Sequence, residues 1–172
     1  MSTALSYAAT ALFAVVASAG SVEDPPVRRL EVWPEVDKAL AGQLKKEVSK
    51  LRKARTEEMA RQAEEWLGDF GAGAAPALLQ ALGKEKKDDA RERVLTVLHE
   101  ITGAEHTRLL AAEFEAKALA VRVFCMRRAA TFPDNHIQDA AETALETARK
   151  RKEKKRERSE IEAAALACAS SG

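Results

Sequence analysis

Aromatic residues make up only 5% of this 172-residue chain, which has two cysteines, one tyrosine and a formal net charge of +1. Each shortage excludes something. A chain with few aromatic residues and abundant alanine is ill suited to a β-sheet core, and it offers little on which nucleic-acid bases could stack. Cys125 and Cys168 are too few for a secreted disulfide scaffold, and neither has a Cys-x-x-Cys neighbour that would mark a zinc site. Their spacing leaves open whether they bridge. Near-neutrality means that no overall field favours nucleic acid or acidic membranes, so any electrostatic attraction must be local. A phosphate loop is lacking too. Gly68, Gly71 and Gly73 follow no strand and lead into no Gly-Lys-Ser/Thr.

What is present begins with an uncharged, apolar stretch over residues 4–19, "ALSYAATALFAVVASA". It closes on Ala17-Ser18-Ala19, the small-x-small pattern that signal peptidases accept. The expectation is a signal peptide over residues 1–19, cleaved after Ala19, and hence export to a periplasm or the extracellular space. No Lys or Arg precedes the run, so an N-terminal membrane anchor or a buried helix are the alternatives. At about 16 residues, however, the run is short of the roughly 20 that span a bilayer. The following segment, 20–34, is polar, contains Pro25 and Pro26, and reads as extended.

From residue 35 the pattern turns helical. Val36, Leu40, Leu44, Val48, Leu51, Met59, Ala63, Trp66 and Phe70 recur at three- and four-residue intervals with charges between them. The expectation is one long helix over 35–66, with Thr56 as an N-cap should it divide near "KARTEE". Gly68, Gly71 and Gly73 then read as a helix stop and Pro76 as the first turn of the next helix. Leu78, Leu79 and Leu82 give that helix a buried face, and Gly83 ends it. Asp88 and Asp89 are expected to cap a further helix lined by Val94, Leu95, Val97, Leu98 and Ile101, ending at Gly103. Leu109, Leu110, Phe114, Leu119, Val123, Met126 and Ala130 form the next apolar set, with "EAKAL" as a candidate turn. Ile137, Ala141 and Leu145 continue the spacing, and an apolar segment from Ile161 to Ala169 closes the chain.

Successive helix ends at Gly71, Gly103 and Asp134 lie 32 and 31 residues apart. In that alignment Met59, Arg91 and Arg122 share a column, as do Ala63, Leu95 and Met126, and Trp66, Leu98 and Ala129. A period near 30 built from two helices is the mark of an α-solenoid, whose hairpins bury their apolar faces only by stacking. The run Leu67, Gly68, Gly71, Ala74, Pro76, Leu78, Leu82 is similar to the HEAT-like repeat family. Ala120, Val121 and Arg122 open a helix in that family's manner, and Ala90 with Arg91 echoes it. The resemblance covers about residues 57–150 and implies a stacked-helix fold and a binding surface rather than catalysis. Gly103, by contrast, is followed by "AEHTR" and not by a proline-started helix.

Candidate chemistry is sparse. His99-Glu100 and Glu105-His106 lack His-Glu-x-x-His spacing, and converging ligands for a metal are not evident; they read as exposed helix-end residues. No Ser/His/Asp or Cys/His set is visible. The run 149–158 holds eight basic residues, Arg149, Lys150, Arg151, Lys152, Lys154, Lys155, Arg156 and Arg158, against Glu153 and Glu157. It reads as a solvated helix or as a contact for an anionic polymer. Arg122, Arg127 and Arg128 border an apolar core and read first as ion-pair partners, second as part of an interaction ridge.

The sequence therefore points to an all-α chain of stacked antiparallel helix pairs, a HEAT-like solenoid domain over 35–148 that opens with a long N-terminal helix, and a basic segment and terminal apolar helix over 149–172. Its expected role is that of an exported scaffold for a protein partner, with no catalysis, cofactor or metal and no evident small-molecule substrate. The alternative is a binder of anionic polymer, nucleic acid or membrane surface through 149–158, with nucleic acid the weaker choice.

Overall fold

The computed structural model describes residues 27–151 and 157–172 and contains, among them, helices and no strand. The expected signal peptide at 1–19 lies outside the described residues, as do Lys152, Lys154, Lys155 and Arg156. Among the described residues no helix is long and apolar enough to cross a membrane. The helices are α1 (Lys38–Lys53), α2 (Glu57–Phe70), α3 (Ala75–Lys84), α4 (Asp88–Ile101), α5 (Thr107–Ala111), α6 (Leu119–Ala130), α7 (Gln138–Lys150) and α8 (Arg158–Ser171). Neighbours in the chain pack as pairs: α1 on α2, α3 on α4, α5 on α6 and α7 on α8. Further contacts of α1 with α3 and α4, α2 with α4, α3 with α6, and α6 with α8 join the pairs around one core.

The expected single helix over 35–66 is two. No apolar residue other than Ala54 lies between Leu51 and Met59, so helical continuity there would bury almost nothing. The chain instead bends at residues 54–56, where the Thr56 side chain accepts the Met59 amide and caps α2, and Glu57 and Glu58 occupy its first turn. Arg93 on α4 donates to the freed Ala54 carbonyl at 3.2 Å, and Arg52 meets Glu85 at 2.7 Å. The bend also resets the helical phase. Leu44, Val48 and Leu51 are buried as expected, but α2 buries Ala60, Ala63 and Leu67, leaving Met59 45% exposed and Trp66 at the margin.

Gly71 closes α2 with φ +72° and ψ −155°, a backbone region that in practice only glycine occupies. A single 3-10 turn, Gly71–Ala74, leads directly into α3, with Pro76 in its first turn. The other expected glycine stops differ. Gly83 lies inside the last turn of α3, where a Cβ would come 3.0 Å from the Ala118 Cβ, so it permits close approach of α3 to the start of α6. Gly103 follows α4 in extended backbone. Asp88 and Asp89 are first-turn residues of α4 rather than caps, and still favour the positive end of its dipole. "EAKAL" is the expected turn, and α6 starts at its last residue.

The described part of the N-terminal segment has no regular secondary structure and is fastened across the molecule. The Leu30 amide donates to the Glu105 carbonyl at 2.8 Å, and Arg29 donates to the Ala104 and Pro133 carbonyls. Trp33 stacks on His106 with ring centroids 5.5 Å apart. At the other end, α8 folds back on α6 and α7, burying Ala163, Ala164 and Ala167 completely. Cys125 is buried and Cys168 half-buried, and both are free thiols. Burial pushes the Cys125 thiol far above its ordinary pKa, which leaves it a core residue and not a nucleophile.

Candidate functional site

Of the three arginines around α6, Arg122 is structural. It is buried, donates from Nε to Glu160 at 2.6 Å, and reaches the Ala116 and Lys117 carbonyls at 2.7 and 3.0 Å. Glu160 also receives Arg151 at 2.8 Å. This buried cluster fixes α8 against α6. Arg128 caps α4 from outside, donating to the carbonyls of His99 and Thr102 while lying 4.7 Å over the Phe132 ring. Arg127 differs: it is exposed and lines an open groove.

That groove, of about 430 Å³, lies between α4 and α6. Its walls include Leu82, Arg91, Leu95 and His99 on one side and Leu119, Ala120, Val123, Phe124 and Arg127 on the other, with Ser159 of α8 at the edge. Arg91, Leu95 and His99 are four residues apart on α4, as are Leu119, Val123 and Arg127 on α6, so each wall is one side-chain ridge. His99 meets the edge of Phe124 at 5.2 Å and marks one end; Arg91, in the first turns of α4, marks the other. Burial and the charge of Arg128 hold the His99 imidazole below its ordinary pKa, so it is neutral at pH 7. Charge in the groove comes from Arg91 and Arg127, and no carboxylate is among its described lining residues.

α6 is apolar on more of its circumference than one core can cover. Val121, Phe124, Cys125, Met126 and Ala129 are buried, while Leu119, Ala120 and Val123 face the groove half-buried. Sequence reasoning assigned Leu95, Leu119 and Val123 to the core. The available signal was the surplus itself, since an apolar set wider than one face requires a second covering surface.

Two other places carry polar chemistry. Near the segment start, Asp134 is buried and receives Arg29 Nε at 3.3 Å, Arg108 Nε at 3.5 Å, and both the amide and Nδ1 of His136 at 3.0 Å. Burial alone would raise its pKa, but the His136 hydrogen bonds and the two arginines outweigh it and hold the carboxylate below its usual range. No described hydroxyl or thiol hydrogen-bonds His136, and the Asp134 carboxylate is already taken up by two arginines. The cluster therefore reads as a fastening, to which Arg108 adds a 2.8 Å bond to Glu31. His106, expected to be exposed, is buried under Trp33, with Nδ1 accepting the Gly103 amide at 3.0 Å. A groove of about 460 Å³ between α3 and residues 113–121, the turn before α6 and its first residues, is lined by Trp33, Pro76, Leu79, Glu113 and Lys117 and carries both signs of charge.

The described members of the basic run are engaged locally. Lys150 pairs with Glu146 and Arg158 with Glu162, both at 2.7 Å, Arg151 with Glu160, and Arg149 is exposed at the end of α7. Among the described residues no group of three or more His, Cys, Asp or Glu could hold a metal ion. Comparison with protein-family models, with curated proteins and with solved structures gives no match to this chain.

Proposed function

We propose that this chain is a helical scaffold that binds a protein partner and performs no chemistry of its own, its helix pairs stacking in a HEAT-like manner. The observation that carries this reading is the α4/α6 groove, an open apolar trough with arginine at its two ends and no described carboxylate. Solvent-facing apolar surface of this kind is retained where something covers it. The pairing of consecutive helices supports the stacked arrangement, and the uncharged run ending in Ala17-Ser18-Ala19 supports export.

Ala120→Asp tests it. Ala120 is the second residue of α6, where a carboxylate suits the helix dipole, so the substitution spoils the groove without opposing the fold. Affinity capture from native cells with the wild-type chain yields a partner that Ala120→Asp loses at unchanged melting temperature. Capture that is indifferent to Ala120→Asp contradicts the groove as the carrier of function. Salt-sensitive retention on heparin, abolished when the basic residues of 149–158 become glutamine, would favour the anionic-polymer reading instead.

A further inference from the structure

Resting on the scaffold reading, we infer that the α4/α6 groove takes an amphipathic helix of the partner, one bearing a carboxylate at each end of a short apolar stripe. The walls dictate the shape. All the described secondary structure is helical, so no sheet edge is on offer to an extended peptide. The ridges Arg91–Leu95–His99 and Leu119–Val123–Arg127 each follow four-residue spacing, and the trough between two such ridges accepts the ridge of a third helix.

Charge dictates the pattern. Arg91 and His99 are eight residues apart on α4, about 12 Å along the helix at 1.5 Å per residue. Arg127 lies one turn beyond Phe124, which touches His99, so the two guanidinium groups stand at opposite ends of the trough. Between them the lining is apolar apart from neutral His99 and Ser159 at the edge. A helix with glutamates about three turns apart and leucines between them matches this order. Arg91 is receptive: among the described residues its Nε is shielded from water and has no hydrogen-bond partner, while its other nitrogens make only a 3.1 Å ion pair to the exposed Asp88 and a long 3.4 Å bond to the Glu85 carbonyl. A carboxylate settling at that end supplies the missing acceptor after a small side-chain shift.

The test uses the whole chain and two fluorescent peptides about 15 residues long, enough for roughly four turns. Both carry leucines on one face; one has glutamates about three turns apart flanking them, the other lysines at the same places. The acidic peptide is expected to bind the wild type. Arg127→Glu weakens it about five- to tenfold, and the Arg91→Glu/Arg127→Glu double variant transfers preference to the lysine peptide. Melting temperature checks each variant, and Arg91→Gln replaces Arg91→Glu if the latter lowers it. Equal binding of both peptides, or of neither, overturns the inference. If partner capture is nevertheless lost with Ala120→Asp, the scaffold reading stands and only the acidic-helix partner falls; if capture is also indifferent, both fall.

Discussion

Gly71 and Gly42 are both glycines with open space where a Cβ would sit, yet substitution should move stability in opposite directions. Gly71 holds φ +72°, so Gly71→Ala forces a side chain into strained backbone and is expected to cost about 1–3 kcal/mol in urea denaturation. Gly42 is interior to α1, and Gly42→Ala is expected to add about 0.5–1 kcal/mol. The Arg122–Glu160 pair is the second decisive contact. Glu160→Gln leaves the buried Arg122 guanidinium its two carbonyl acceptors but removes its counter-charge and is expected to cost about 3–5 kcal/mol, whereas Arg122→Met combined with Glu160→Leu should recover most of that loss. His106 supplies a pH dependence. Burial pushes its pKa down against the pull of Glu105, and its Nδ1 lone pair is committed to the Gly103 amide. A base held below its unfolded value of about 6.5 contributes stability that is complete above that pH and is lost as pH falls beneath it. Melting temperature should therefore fall on acidification from about pH 7 to 5. His106→Phe should shallow that slope, leaving the part contributed by His99, whose pKa is lowered for the same reason.

At the scale of elements, α8 is the piece with most at stake. It is rich in alanine, and its buried side is Ala163, Ala164 and Ala167 against α6 and α7, with Glu160 locked to Arg122. Deleting residues 158–172 uncovers that face together with the buried Arg122, and the truncated chain is expected to aggregate or associate in size-exclusion chromatography. An unchanged soluble monomer would contradict this account. The elements also show what the sequence could convey. Leu44, Val48, Leu51, Leu78, Leu82, Val94 and Leu98 sit in the core where their spacing put them, because intact helices carry their phase along the chain. Phase was lost where a helix broke: a continuous reading through residues 54–56 placed Met59 and Trp66 inward, and the bend turned Ala60 and Leu67 inward instead. Contacts between distant residues were illegible altogether. Nothing local tells Arg122 that its carboxylate lies 38 residues on, or Trp33 that it will cover His106.

At the scale of the whole molecule, the described helices pack as pairs around one core, with Arg29, Leu30 and Trp33 fastened to residues 104–106 and α8 packed on α6 and α7. Pairing followed from glycine and proline punctuation, and α2, α4 and α6 end 31 and 29 residues apart, close to the repeat read from the sequence. The aligned columns are less uniform in burial: Met59 is exposed where Arg122 is buried, so the repeat describes chain rhythm better than it describes environment. The groove belongs to this largest scale, since α4 and α6 come from different pairs and only the assembled body sets their ridges side by side. A photo-reactive phenylalanine derivative at Ala120, with a control at exposed Gln62 on α2, tests the central claim most directly. Irradiation in native cells should yield a discrete protein adduct from the groove position and none from the control. Adducts from both positions alike, or from neither, would contradict it.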